Sequence, residues 1–290
     1  MFEMPVYVLA WGVLLSGVLQ LLIQILPLWR INRLPIPKLN INNPGLNKFF
    51  RLIFPAILAG GIIQINLLID TIFASFLETG SPTWLYVSDR LVQFPMGIFA
   101  IAIGTILLPT LSKYDLNFER EKFILSIQKG QRFVLFIGIP SLIGLFFCSE
   151  DLISTIFYRG AFTASDVINS SYSLMALSFG LPFFMLMKVL TPAFFARKDT
   201  KTPMYVALIS LIINAVLNYY LAFILNYGHV GIAVGSSIAA IVSVCILEIL
   251  LYRDGFIKIK NIFNKFNLNI IISSLFVIVF LYFYTSKINF

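Results

Sequence analysis

Long apolar runs separated by short polar connectors recur along the whole chain. Eight of these runs are predicted to be helices, at 6–29, 52–77, 83–108, 133–148, 169–195, 203–225, 230–252 and 268–285. At 1.5 Å of rise per residue, most of them cross a hydrocarbon core of about 30 Å; 133–148 is the shortest. The pattern predicts an all-α integral membrane protein of about eight transmembrane helices. Ser81-Pro82 and Thr202-Pro203 read as a capping residue followed by proline at the first helical position, so both mark helix starts. The connector 32–50, with Pro35, Pro37, Pro44 and Gly45, reads as a linker. The segment 112–131 is polar, with Leu116, Phe123, Leu125 and Ile127 at helical spacing, which fits a short interfacial helix or a solvated loop.

Composition agrees with a lipid-facing surface. Hydrophobic residues make up 59% of the 290, charged residues only 12%, and the mean hydropathy is +0.92. A soluble domain of this length needs more charge than that to cover its core. The net charge of +8 raises the possibility of nucleic acid as a partner. Its distribution argues against that, because seventeen of the 21 basic residues fall in alternate connectors.

Arg30, Arg33, Lys38, Lys48 and Arg51 follow the first run, and Lys113, Arg120, Lys122, Lys129 and Arg132 follow the third. Arg197, Lys198 and Lys201 follow the fifth, and Arg253, Lys258, Lys260 and Lys265 follow the seventh. The intervening connectors hold Arg159 beside Glu78, Glu150, Asp151 and Asp166. By the positive-inside rule, connectors one, three, five and seven face the cytoplasm. Both termini then face outward, and Met1 leads almost directly into a span with no signal peptide before it. This gives the expectation that the chain is the later part of a longer protein; the alternative is a natural eight-span protein with an outside N-terminus.

Charged side chains at membrane depth cost roughly 3 kcal/mol on insertion scales, so each one calls for a role. Asp89 and Arg90 are neighbours in the third run and point about 100° apart, so at least one must face another helix or a wet cavity. Arg90 offers a guanidinium fork suited to phosphate, or it snorkels to the outer interface. Pro95, one turn further on, should kink the helix. Asp70 falls deep in the second run with Gln64 and Asn66, and Asn66 and Asp70 share a face. Asn214 and Asn218 repeat the i, i+4 spacing in the sixth run. A carboxylate with amide oxygens would suit a sodium ion or a proton relay; the alternative is hydrogen bonding that only holds the bundle together. Lys188 lies towards a cytoplasmic end, where its stem could snorkel, and Glu248 reads as interfacial. Gly60-Gly61, Pro140, Pro182, Gly231 and Gly235 indicate close packing and bends.

No histidine–acid constellation, nucleotide loop or nucleophile with a neighbouring base is present in the sequence, so no enzymatic role is expected. Cys148 and Cys245 lie far apart in apolar segments, which excludes a disulfide framework and gives no metal site. His229 stands alone in a short connector and carries no role in this reading.

Thr71-Ile72-Phe73-Ala74-Ser75-Phe76-Leu77, the run from Ser88-Asp89-Arg90-Leu91 to Pro95-Met96-Gly97-Ile98, and Gly104-Thr105-Ile106-Leu107-Leu108-Pro109 follow one another along the chain. Arg159-Gly160-Ala161-Phe162-Thr163 and the run from Lys188 to Pro203 come after them. Together, in this order and over nearly the whole chain, these stretches resemble the MurJ (MviN) family of bacterial lipid II flippases. The resemblance implies a MATE-like fold of two six-helix lobes around a cavity plus two extra helices. It makes 1–50 the last helix of the N-lobe with a linker, 51–253 the C-lobe, and 254–290 an additional helix. It implies movement of undecaprenyl-linked peptidoglycan precursor across the inner membrane, with membrane lipids and other cell-wall synthesis proteins as partners. It also implies substrate binding by Arg90, Asp89 and Lys188, a weaker cation site at Asp70, Asn214 and Asn218, and no other cofactor than a coupling sodium ion or proton. The family's first five helices or so have no counterpart here, which would leave half a cavity. The rival readings are a related polysaccharide-lipid or cation-coupled drug exporter, and a truncated membrane scaffold that transports nothing.

Overall fold

The computed structural model describes residues 5–32, 44–114, 118–256, 273–274 and 276–279. Among these residues, seven helical stretches are long and apolar enough to cross a membrane. Most of the eighth predicted span, 268–285, lies outside the described residues, as does most of the proline-rich linker. The chain divides into two compact units, Met1–Lys48 and Phe49–Phe290.

The first unit holds α1 (Pro5–Arg30) and the opening of α2 (Pro44–Ser75). Nearly every described side chain of α1 is exposed, Val13 and Ile23 among them. A helix apolar on all faces and unpacked against its own unit has lipid as its solvent. Pro44 opens α2 rather than sitting in a linker, because proline lacks only a backbone donor that the first turn leaves unpaired anyway.

The second unit is built around α7 (Ala164–Ala196). Its Leu174, Leu181, Met185, Val189, Leu190 and Ala193 are fully enclosed, and α3, α4, α5, α6 and α9 all pack against it. Small residues let the backbones approach. A methyl group on Gly138 of α5 (Arg120–Phe147) would lie 3.3 Å from Pro182 Cα. One on Gly104 of α4 (Ala102–Lys113) would lie 2.9 Å from the Lys188 carbonyl oxygen. Gly231 of α9 (Gly228–Arg253) sits against the backbone at Leu221 and Ala222, just after α8 (Lys201–Tyr219). The short α6 (Ser149–Phe157) joins α5 to the connector before α7.

Pro95 ends α3 (Ser81–Pro95), and the helix continues through a π-helical turn, Met96–Ile101, into α4. The missing proline donor is thus absorbed by widening one turn rather than by a break. A second π-helical turn, Tyr220–Ile224, ends α8.

Three helix starts differ from the sequence reading. The predicted interfacial helix and the short fourth span are one helix: α5 begins at Arg120, so its charged first turns project beyond the apolar part. Gly80 caps α3 with φ of 109°, and the Ser81 hydroxyl donates to the Glu78 carbonyl at 2.7 Å instead of to its own helix. At α8 the cap is Thr200, and Asp199 Oδ1 accepts from the Thr202 amide at 3.0 Å. The side-chain capping box lies at α7, where Thr163 and Asp166 satisfy each other's backbone amides.

At the predicted cytoplasmic end, Arg197 pairs with Asp254 at 2.7 Å and Arg120 donates to the Asp254 carbonyl at 2.6 Å. Both guanidinium groups stack on the Phe256 ring, which ties the ends of α5, α7 and α9 together.

Candidate functional site

Buried hydrogen bonds fix the rotation of α3. The Ser88 hydroxyl is enclosed between the carbonyls of Trp84 and of Ser170 on α7, at 2.7 Å from each. One turn earlier Trp84 Nε1 donates to Asp166 Oδ1 at 2.7 Å, and the Trp84 ring meets His229 edge-on. His229 in turn shares a 2.7 Å hydrogen bond with Ser173, so the residue given no role binds α9 to α7.

With Ser88 turned to α7, the next residues are placed by the 100° step of the helix. Asp89 falls on the wall of a cavity of about 540 Å³ and accepts a hydrogen bond from Gln93. Arg90 points away from α7, exposed, with its guanidinium 4.6 Å above the Tyr86 ring. Pro82, Tyr86, Arg90 and Phe94 form an exposed stripe at i, i+4 spacing. Asp89 and Arg90 point to different sides of α3, but the stripe is not separate from the cavity, since Pro82 and Tyr86 also line it; among the described residues no carboxylate forms an ion pair with Arg90.

The cavity lies between α2, α3, α7 and α9, with Leu67, Leu85, Leu177, Phe184 and Ile232 as its apolar wall. Asp70 of α2 is its polar centre. Asn218 Nδ2 donates to Asp70 Oδ1 at 2.6 Å, while Asn66 Nδ2 and the Ser236 hydroxyl each stand 3.4 Å from Oδ2. Asn214 links to both Asn218, at 2.9 Å, and Ser236, at 3.0 Å. The structure therefore brings Asp70, Asn214 and Asn218 together as one network. Ser236 is the member that sequence reasoning missed; a hydroxyl in a small-residue stretch of a span gives no signal of its own. Gly235 beside it leaves the space that the Asn218 carboxamide fills. Gln64, by contrast, is exposed and stands apart from the cavity.

Two amide oxygens of this network, Asn66 Oδ1 and Asn218 Oδ1, are enclosed and accept no hydrogen bond among the described residues. Asn66 and Asn218 turn their nitrogens, not these oxygens, to Asp70; rotating the two amides would give Asp70 the oxygen neighbours that suit a hard monovalent cation. Among the described residues no three His, Cys, Asp or Glu side chains gather as a transition-metal site would need.

Lys188 is half-buried on α7 behind Gly104 and is not part of the cavity wall. Glu248 does not lie loose at the interface: Gln131 of α5 donates to its Oε1, and its Oε2 is enclosed.

A family model described as lipid II flippase MurJ matches residues 1–289. The probable lipid II flippase MurJ of Vibrio cholerae is 43% identical over 253 residues, 87% of this chain and 48% of that protein. That of Buchnera aphidicola subsp. Acyrthosiphon pisum is 35% identical over 277 residues, 96% of this chain and 54% of its own length. A solved lipid II flippase MurJ in an inward closed conformation superposes with a TM-score of 0.70 at 30% identity, over 87% of this chain and 52% of that one. An outward-facing multidrug resistance MATE family transporter superposes at 0.64 with 17% identity, over 78% of this chain and 51% of that one, which is a likeness of fold alone. The chain spans about half the length of the curated relatives it matches. Its apolar helices make it a multi-pass protein of the inner membrane. A match that runs from the first residue to the last but one leaves no part of the chain to another family: it belongs to the lipid II flippase MurJ family.

Proposed function

We propose that the chain takes part in flipping lipid-linked peptidoglycan precursor across the inner membrane by alternating access, as a transporter rather than a catalyst. Family membership over residues 1–289 carries the reading. The exposed α3 stripe supplies its chemistry: Arg90 presents its fork outward on a rigid helix, held over Tyr86, and offers bidentate contact to the pyrophosphate of the precursor. Asp89, on the cavity wall beside Tyr86, accepts a hydrogen bond from Gln93. Lys188 is a second cation for the same anionic substrate, reachable from the cytoplasmic side by its long stem. A sodium ion held by Asp70, Asn214, Asn218 and Ser236 would neutralise the buried carboxylate and bias the lobe between states.

The test is rescue of bacteria depleted of their resident flippase. Expression of the chain in place of the matching half of a full-length relative should restore growth, and Arg90→Ala should abolish it. Rescue by Arg90→Ala at the parent level would remove Arg90 from the substrate path. Failure of the parent itself would favour a scaffold that does not transport.

A further inference from the structure

The cavity does not account for every acid inside the spans. Glu248 stands on α9 five residues before its final Arg253, between the fully enclosed Leu247 and Leu251. Across from it, Gln131 lies on the buried face of α5, with Ile127 one turn before and Val134 one turn after, both fully enclosed. Gln131 Nε2 donates to Glu248 Oε1. Glu248 Oε2 is sealed from solvent and accepts no hydrogen bond among the described residues.

An ionised carboxylate needs donors on both oxygens, whereas a protonated one carries no charge and tolerates a bare O–H far better. Setting aside Arg120, Glu121 and Lys122 in the first turn of α5 and Asp166 in the first turn of α7, the other charged groups on these elements are Lys129 and Arg132 on α5, Lys188 on α7 and Arg253 on α9. Lys129 is exposed about 160° around α5 from Gln131, and Lys188 has its backbone against α4. Arg132 is half-buried one step, about 100°, from Gln131, and Arg253 is exposed at the helix end. The hydrogen bond that Glu248 does make is with a neutral amide.

We propose that Glu248 is a proton-binding site in the cytoplasmic half of the lobe, positioned by Gln131 and separate from the Asp70 network. On loading, a proton from cytoplasmic water bonds to Oε2 and the carboxylate becomes a neutral acid. On release the proton returns to water, and the ionised Oε2 must draw water or a further donor into the seam between α5 and α9. Both helices pack on α7, and Gln131–Glu248 bridges them. Ser236, which contacts Asp70, lies twelve residues earlier on α9, about 18 Å along the same helix. A single rigid helix thus carries a cation contact towards one end and a proton site towards the other.

The test is a pH titration of the full chain in proteoliposomes, followed by infrared difference spectroscopy. The carbonyl stretch of a protonated carboxyl, shifted in heavy water, should grow in as the pH is lowered. It should be lost in Glu248→Gln and kept in Asp70→Asn. Gln131→Leu removes the donor that favours the ionised form, so the titration midpoint of this band should rise by about one pH unit. This arm reads the site even if Glu248→Gln does not fold. A band unchanged in Glu248→Gln, or a midpoint unmoved in Gln131→Leu, would overturn the assignment. Loss of the band on adding sodium at constant pH would make Glu248 a cation site and overturn it too. None of these readouts depends on flipping, so failure of the transport reading and failure of this one remain distinguishable.

Discussion

Helices α2 and α7 are nearly equal in length, at 32 and 33 residues, and similarly apolar, yet they are held in opposite ways. In the spanning part of α7, 61% of the residues are buried; in that of α2, 6% are. α7 is fixed by side chains interlocked around most of its surface, with Ile168, Tyr172 and Phe179 left exposed and glycines admitting its neighbours. The described part of α2 joins α8 and α9 through Asp70, its amide and hydroxyl partners, and a small apolar patch at Ala74, Ala222 and Ile232. Inside lipid, packing and not water exclusion is what separates a fixed helix from a movable one, because lipid replaces lost apolar contacts at little cost. A helix held by a few polar bonds can be released by changing the charge at one carboxylate. A helix held by most of its surface cannot.

Three substitutions test that contrast, in falling order of effect on stability. Leu181→Ala, at the centre of α7, should cost about 3 kcal/mol by leaving a cavity that the packed neighbours cannot close. Thermal unfolding followed by circular dichroism in detergent checks it, and a loss below 1 kcal/mol would mean that α7 is not the fixed element. Asp70→Asn should change the same melting curve by only about 1 kcal/mol, because interhelical hydrogen bonds in lipid are individually weak. Its larger consequence is chemical: sodium at ten times its dissociation constant should stabilise the parent by about 1.4 kcal/mol and leave Asp70→Asn unmoved. Leu68→Ala, on the exposed face of α2, should lie within about 0.5 kcal/mol of the parent. A large loss there would show that α2 is packed after all.

Span positions were legible because an apolar run of about 20 residues has one solution in lipid. The face of a charged residue was half legible. The 100° step told that at least one of Asp89 and Arg90 must face another helix or a wet cavity, but choosing which one enters the cavity needed Ser88, whose hydroxyl anchors α3 to α7. The asparagine pair of α8 and Asp70 were visible by spacing on their own helices. Their meeting required the fold, and Ser236 carried no sequence signal. Helix ends were the least legible part. The run 112–131 alternates polar and apolar residues much as an interfacial helix does, and nothing local says that it continues into the span. Glu248 was misplaced for a related reason: nearness to a helix end suggests water, while its orientation depends on Gln131 more than a hundred residues away.

The π-helical turn at Met96–Ile101 has a consequence for how this family can vary in length. A turn closed by i→i+5 bonds holds one residue more than its α-helical equivalent. Deleting one residue there would let the turn revert to α-helix, with the stripe through Tyr86 and Arg90 undisturbed upstream. The same deletion in the middle of α7 would rotate every later side chain by about 100° and turn its buried face outward. The turn at Met96–Ile101 is therefore the place in the third span where a one-residue deletion is most easily absorbed.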